Sequence, residues 1–375
     1  MAIQKHVVLA VTSELTARTF YSEYPGYLVQ RGWRVTLMSQ DEGGLAALAR
    51  GLGADAAPIP IARNPSPARD LVALVSVWRT LRRLRPDVVV AATPKAGLLV
   101  SVAARLARVP NRVYQVWGLR LETSTGWRRT LMGVAERIAA ASSTRVVAVS
   151  PSLADRVREL GIARDVTVLG SGSSHGVDLD RFTRTEPRAR GGAFTVGFVG
   201  RLTADKGIAT LAEAALKVAE FDPTIEFVLV GPAEDTASEA AVRRAADAGA
   251  SIRRLPYTAD TRDVYEQFSL VCLPTLREGF PNVVLEAGAM GLPTITTTAT
   301  GAVDSVVQGV TGLLVPPGDP SALADAICRL ASDPALCEVM GANARARVES
   351  EYSQRRVFEL QEAFLASLSL SASDH

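Results

Sequence analysis

The chain has 375 residues, 47% of them hydrophobic and 21% charged, a profile that fits a soluble enzyme of two domains with substantial cores. Its formal charge is only +2, yet residues 1–182 carry +10 and residues 183–375 carry −8, so an anionic partner, either a membrane surface or a phosphorylated acceptor, is expected at the first half. Nucleic acid is disfavoured because no aromatic residues interleave with the basic ones. Cys272, Cys328 and Cys337 lack metal or disulfide spacing, which argues for a reducing cytoplasm. No apolar run reaches the roughly 18 residues of a membrane span, so any membrane contact would be peripheral, at the inner face of the cell membrane.

In chain order, Val7–Val11 reads as a buried strand followed by a loop without glycine, Thr12 to Thr19, and then a helical pattern to Gln30. The dinucleotide fingerprint is therefore missing where an NAD enzyme would carry it. Strands at Arg34–Ser39 and Val88–Ala92 bracket a helix over Asp70–Arg85, whose Leu71, Leu74, Val75, Trp78 and Leu81 follow the 3.6-residue period. Thr93-Pro94-Lys95-Ala96-Gly97 then opens a helix at the carboxyl edge of the sheet, and a lysine there can act as a point charge for phosphate. After the strand Arg112–Val116 comes Trp117-Gly118-Leu119-Arg120-Leu121-Glu122. Next, Trp127, Leu131, Val134, Ala135 and Ile138 share a helical face beside Arg128, Arg129 and Arg137, a pattern that suits either a membrane interface or a core-facing helix with solvated arginines. Strands at Val146–Val149 and Val166–Leu169 complete this first domain, residues 1–182, and the loop after them holds His175.

Residues 183–193 read as a linker to a second domain over 194–351. That domain opens with the strand Thr195–Gly200 and the string Arg201-Leu-Thr-Ala-Asp-Lys206-Gly207 before a helix over Ile208–Phe221. Gly200 allows a tight turn, and Arg201 and Lys206 can place two cations over a diphosphate at the carboxyl end of the sheet. Strands at Ile225–Val230, Ser251–Leu255 and Thr294–Thr297 alternate with helices in a doubly wound pattern, and backbone near Leu255 can contact a base. Leu270–Leu273 is a further strand; Pro274, Gly279 and Pro281 force a loop before the helical stretch Asn282–Met290, whose first N–H groups near Phe280, Asn282 and Val283 suit phosphate. Glu278 in the loop and Glu286 one turn into the helix can accept hydrogen bonds from sugar hydroxyls, or simply complement the helix dipole. Helices at Ser321–Ala331, Pro334–Ser350 and Ser353–Leu368 follow, and residues 369–375 form a polar tail expected to be disordered.

The string Glu278-Gly-Phe-Pro-Asn-Val-Val-Leu-Glu286-Ala with Gly291-Leu-Pro293 resembles the E-x7-E signature of the retaining glycosyltransferases of family 4, the glycosyl transferases group 1. Gly200-Arg-Leu-x3-Lys206-Gly resembles their pyrophosphate-binding element. The resemblance implies an α/β GT-B fold: two Rossmann-like doubly wound domains facing across a cleft, the C-terminal helix of residues 352–375 crossing back to the first. It implies a UDP-sugar donor in the second domain, no metal or other cofactor, and a hexosyl or N-acetylhexosaminyl transfer to an acceptor held by the first. Arg201, Lys206 and Glu278 would be catalytic; Gly200, Leu255, Gly279, Phe280, Pro281, Asn282, Val283 and Glu286 would bind the donor. Glu14, Lys95, Arg120, Glu122 and His175 are the acceptor or cleft candidates. Thr-Pro-Lys-Ala-Gly strings occur in members that extend lipid-diphosphate-linked sugars, which points to a polyprenyl-diphosphate-linked saccharide as acceptor, with a soluble natural product as the alternative. Two departures stand out: no His follows the strand Arg112–Val116, and His175 replaces the Asn of the usual Asn-Gly-Val-Asp. A hydrolysing UDP-sugar epimerase of the same fold is the rival activity, although acids and bases for it are not evident among three histidines.

Overall fold

The computed structural model describes residues 4–61, 66–184, 193–258 and 260–370; most of the expected linker and the end of the expected tail lie outside them. The chain forms two compact units, Met1–His175 with Arg355–His375, and Gly176–Gln354. No described helix is long and apolar enough to cross a membrane.

In the first unit the elements are β1 (His6–Ser13), α1 (Glu14–Phe20), α2 (Tyr24–Gln30), β2 (Arg34–Gln40), α3 (Leu45–Gly51), β3 (Asp55–Pro58), α4 (Pro67–Leu84) and β4 (Val88–Ala92). They continue with α5 (Pro94–Leu106), β5 (Asn111–Val116), α6 (Gly126–Ser142), β6 (Arg145–Ala148), α7 (Pro151–Glu159) and β7 (Val166–Val168). The sheet is parallel, in the order β3-β2-β1-β4-β5-β6-β7. At its centre β4 is apolar along its whole length and β1 from Val7 to Val11, as expected of strands covered on both faces. The segment expected as a glycine-free loop after the first strand is helical: Ser13 caps α1 by accepting the Thr16 N–H, and the pattern to Gln30 breaks into two helices.

In the second unit β8 (Thr195–Val199), α8 (Ile208–Phe221), β9 (Glu226–Val230), α9 (Thr236–Asp247), β10 (Ile252–Leu255), α10 (Arg262–Glu266) and β11 (Leu270–Leu273) are followed by α11 (Asn282–Ala289) and β12 (Thr294–Thr297). Then come β13 (Gly312–Val315), α12 (Pro320–Ser332) and α13 (Pro334–Arg347). This sheet is also parallel, in the order β10-β9-β8-β11-β12-β13. A π-helical turn at Val348–Tyr352 leads to α14 (Gln354–Leu370), which returns to the first unit and places Phe358, Leu365 and Leu368 in the core that holds β1 and β2. The two sheets and the returning helix make this a GT-B fold.

Of two helices of the first unit, one turns part of its expected face outward and the other all but one residue of it. In α4 Leu81 is buried and Leu74 and Trp78 pack half-buried on the core as expected, joined by the buried Ala73 and Val77, while Leu71 is 61% exposed. The small Ala73 and Val77 let α4 approach α5, itself rich in alanine and glycine, more closely than leucines would allow. In α6 the buried positions are Gly133, Glu136, Ala139 and Ala140, so the core-facing reading of Trp127, Leu131, Val134 and Ile138 is overturned.

Candidate functional site

In each sheet the strand order reverses at one place, between β1 and β4 and between β8 and β11. Chains leaving such a pair of strands diverge to opposite faces, which opens a crevice at the carboxyl edge where ligands bind in open α/β sheets. The sequence motifs fall on these points.

After β8, the segment 200–207 and, after β11, the segment 274–281 are stapled together. The Asp205 carbonyl accepts from the Leu276 N–H at 2.9 Å and from the Thr275 hydroxyl at 3.0 Å. The Asp205 carboxylate takes the Thr203 hydroxyl at 2.6 Å and Arg277 at 2.9 Å. From the other side, Asp235 caps α9 and also accepts the Ala204 N–H at 2.8 Å. Burial alone would raise the Asp205 carboxyl, but the Thr203 hydroxyl and the neighbouring Arg277, Lys206 and Arg201 hold it below its usual range. The outcome is that Lys206 and Glu278, 72 residues apart in sequence, meet at 2.5 Å with side chains only 20% and 11% exposed.

Three glycines make this approach possible. Gly207 has φ 71° and an added Cβ would stand 1.9 Å from the Pro274 carbonyl oxygen. Gly301 has φ 75° and would meet the carbonyl oxygens of Gly279 and Glu278 at 2.4 and 2.5 Å, next to the Glu278 N–H that donates to the Thr300 carbonyl. Gly231 would drive into the carbonyl of Gly200, which itself has φ 151°. Sequence reasoning found Gly200, Lys206 and Glu278, and Gly207 as the end of their motif, but missed Asp205, Arg277 and Gly301, whose partners lie far along the chain.

Among the remaining donor candidates, Arg201 pairs with Glu234 at 2.8 Å, and both are largely exposed. Pro281 caps α11 instead of entering its first turn, so the helix begins at Asn282, with Asn282 and Val283 both half-buried. The Phe280 side chain is 7% exposed and packs on Tyr352 with ring centroids 5.2 Å apart, which leaves only its backbone to meet a ligand. Gly279 is buried beneath Gly301, and Leu255 is half-buried at the end of β10, its carbonyl accepting the Gly231 N–H at 3.4 Å. Glu286 accepts the Tyr265 hydroxyl at 2.7 Å. Burial lifts it to about 7 against the opposing pull of the Tyr265 hydroxyl, Arg181 and the Thr261 hydroxyl.

The acceptor candidates of the first unit are more dispersed. Glu14 is 5% exposed, and its carboxylate is engaged: one oxygen accepts the Glu42 and Gly44 N–H groups at 2.9 Å each, the other binds Arg18. Burial works against ionisation, but the Gly44 N–H, Arg18 and the Glu42 N–H together hold Glu14 at about 2, so it ties the β2–α3 loop to α1. Lys95 stands in the first turn of α5 and forms an ion pair with Asp70 of α4 at 2.7 Å. Beside it Thr93 adopts φ 69° and ψ 146°, a costly conformation for a β-branched residue, and its hydroxyl lies 2.7 Å from that of Thr12 across the strand reversal. Arg120 is exposed on a short 3₁₀ turn, and Glu122 pairs with Arg156 at 3.2 Å. His175 makes a hydrogen bond with Ser174 at 2.9 Å and meets Phe20 edge-on at 5.3 Å; Phe20 in turn stacks on Trp117 at 4.5 Å. Burial lowers His175 to about 4, so it is neutral near pH 7 and can exchange hydrogen bonds but not supply a charge. The fold thus brings Gly200, Lys206, Glu278 and the start of α11 to one strand reversal, leaves Leu255 at the edge strand β10, and leaves Glu14 and Glu122 in internal ion pairs.

Comparison with known proteins gives the same division of the chain. Residues 22–172 match the glycosyl transferase 4-like domain, and residues 193–333 match glycosyl transferases group 1. The capsular polysaccharide biosynthesis glycosyltransferase CapM of Staphylococcus aureus is 32% identical over 311 residues, covering 80% of this chain and 82% of that protein. An Escherichia coli protein named UDP-Gal:alpha-D-GlcNAc-diphosphoundecaprenol alpha-1,3-galactosyltransferase is 26% identical over 81% of this chain and 82% of its own. Among solved structures, Anabaena Alr3699/HepE in complex with UDP-glucose superposes with a TM-score of 0.79 at 20% identity, over 96% of this chain and 99% of that one, which speaks to the fold. With Glu278 in the loop before α11, Glu286 on α11 and the cationic loop after β8 in place, the chain belongs to the glycosyl transferases group 1, the GT-B glycosyltransferases of family 4.

Proposed function

We propose that this glycosyltransferase is a retaining enzyme that moves a hexose or N-acetylhexosamine from a UDP-sugar to a hydroxyl of a polyprenyl-diphosphate-linked saccharide, in the assembly of a surface glycan. The carrying observation is the Lys206–Glu278 pair, set by the stapled loops beside the start of α11. In this reading the bond from the sugar C1 to the diphosphate oxygen breaks while the acceptor oxygen bonds to C1 on the same face. The acceptor proton passes to the departing phosphate. Lys206, Arg201 and the first N–H groups of α11 take up the charge that develops on that phosphate, so no metal is needed. Glu278 orients the sugar ring and Glu286 accepts the ribose hydroxyls. The acceptor is assigned to the first unit on two grounds: its basic surface and the named acceptor of the E. coli relative. The test is a panel of UDP-sugars incubated with undecaprenyl-diphosphate-linked and water-soluble acceptors, with product mass and anomeric configuration read directly. Transfer to the lipid-linked acceptor with the donor configuration kept is the expected result; transfer only to soluble acceptors, inversion, or release of an epimerised sugar without acceptor would overturn it.

Glu286 supplies a pH signature for this reading. Because its proton is held up to about 7, whereas the ordinary value is 4.5, the folded chain keeps a proton that the unfolded chain sheds, and this group stabilises the fold less as pH rises through that window. Ribose hydroxyls need the carboxylate as acceptor, so UDP binding expels the proton. Affinity for UDP is expected to be about tenfold weaker at pH 6 than at pH 8, with proton release detectable by calorimetry in buffers of different ionisation enthalpy. Glu286→Gln should bind UDP more weakly and lose this dependence; a wild-type profile that is flat over the same range would remove Glu286 from the ribose.

A further inference from the structure

On α6, Trp127, Leu131, Val134 and Ile138 are 70, 56, 43 and 45% exposed. At about 100° per residue these four fall within an arc of roughly 60°, diametrically opposite the buried Gly133, Glu136 and Ala140. A soluble helix normally presents polar residues at that position; here the crest of the helix is apolar. Neighbouring α4 repeats the feature at its amino end, with Leu71 and Val72 each 61% exposed. Both helices pack on α5, whose outward Leu98 and Val102 are half-buried, so α5 lies recessed between two apolar crests. Parallel connections run these helices back from the carboxyl edge of the sheet, which places Leu71, Val72 and Trp127 beside that edge, near Lys95.

The charges around the crests are of one sign. Arg128 is exposed on the flank of the α6 stripe, stacking over the Trp127 ring at 5.7 Å, whereas Arg129, also exposed, lies on the far side of the first turn; Arg69, Arg79, Arg82 and Arg83 are exposed on α4. The acids of the two helices face elsewhere: Glu136 is buried against the Tyr114 hydroxyl, and Asp70 is taken by Lys95. Arg137 spends its guanidinium on the Leu160 and Gly161 carbonyls, extending the basic margin without turning toward the crest. We infer that the α4–α6 face is a docking surface for an anionic lipid bilayer, with Trp127, Leu131 and Ile138 entering the headgroup boundary and the arginines meeting lipid phosphates. An apolar stripe bordered by cations alone complements a negatively charged interface with hydrocarbon beneath it. A protein partner of ordinary mixed charge would leave the arginines unmatched.

The binding test uses the full chain with no donor or acceptor present, so its outcome is separable from that of the transferase reading. Flotation with phosphatidylcholine vesicles, with and without phosphatidylglycerol, should recover the protein on the anionic vesicles only, with a blue shift of tryptophan emission. Raising salt to about 1 M, where screening acts over about 3 Å, should release it. Leu131→Glu/Ile138→Glu should reduce vesicle binding at least about tenfold while leaving the unfolding temperature unchanged, and Arg128→Ser should weaken binding to anionic vesicles alone. Wild-type protein that ignores anionic vesicles, a double glutamate variant that floats as well as wild type, or a dimer in solution that the glutamates dissolve would each overturn the proposal.

Discussion

Replacing Lys206 by alanine is expected to lower kcat/KM for sugar transfer by about 10²–10³-fold, the loss typical of removing one preorganised charge from a developing anion. The substitution does more than delete a cation. Glu278, 11% exposed and paired with Lys206 at 2.5 Å, would keep a carboxylate at the place a diphosphate must approach. Like-charge repulsion should therefore raise KM for the donor as well as lower kcat. Lys206→Ala/Glu278→Gln should recover part of the KM and none of the kcat, a non-additivity that only residues sharing one site produce. Arg201→Ala should have a smaller effect, because Arg201 is about half exposed and shares its charge with Glu234 in a surface pair. Steady-state kinetics with a fixed acceptor decide the matter. Equal losses for Arg201 and Lys206, or an unchanged kcat for Lys206→Ala, would count against Lys206 as the group that stabilises departure.

Gly207→Ala should be nearly as damaging to activity and worse for stability. The added methyl would stand 1.9 Å from the Pro274 carbonyl oxygen, backbone that cannot step aside, and φ 71° is itself strained for alanine. Left-handed strain of about 1–2 kcal/mol and overpacking of about 1–3 kcal/mol add to a loss of roughly 2–5 kcal/mol. Relief requires the segments after β8 and β11 to part, which separates Lys206 from Glu278. The expected result is a fall in unfolding temperature together with at least about a hundredfold loss of transfer. Gly249→Ala is the control: φ is 105°, but nothing lies within 4 Å, so it should cost only the strain and leave transfer near wild type. Equal behaviour of the two variants would show that the close approach at Pro274 does not organise the site.

How much of this was legible beforehand depended on whether a feature is local in sequence. Within the second unit β8, β9 and β11 could be read because each is a short, mostly apolar run between turn residues, and Glu278 and Glu286 could be read because their spacing is itself the motif. Asp205, Arg277 and Gly301 could not, since a carboxylate in a loop acquires meaning only once the partner 72 residues away is known. Strands β3 and β13 were missed for a different reason: Asp55–Pro58 has no β-branched or aromatic residue and ends in proline, and Gly312–Val315 offers only three apolar residues. In α4 the period placed Leu74, Trp78 and Leu81 on the core side and misplaced only Leu71 and Val75, whereas in α6 the period was right and the phase was wrong. Ordinary sequence logic assigns the large apolar residues to the core, but α6 buries alanine and glycine and turns leucine and tryptophan outward. Glu14 was read as a candidate for the acceptor, and the folded chain spends both its oxygens on holding the β2–α3 loop.

The contact between Lys206 and Glu278 has a kinetic side. The ammonium has a tethered carboxylate for company, so on the proposed reading a nucleotide sugar would have to displace a rival that never diffuses away. That competition would weaken ground-state grip on the donor and on the spent nucleotide alike, and would hurry the latter out after each turnover. A lysine without this neighbour would hold its product longer.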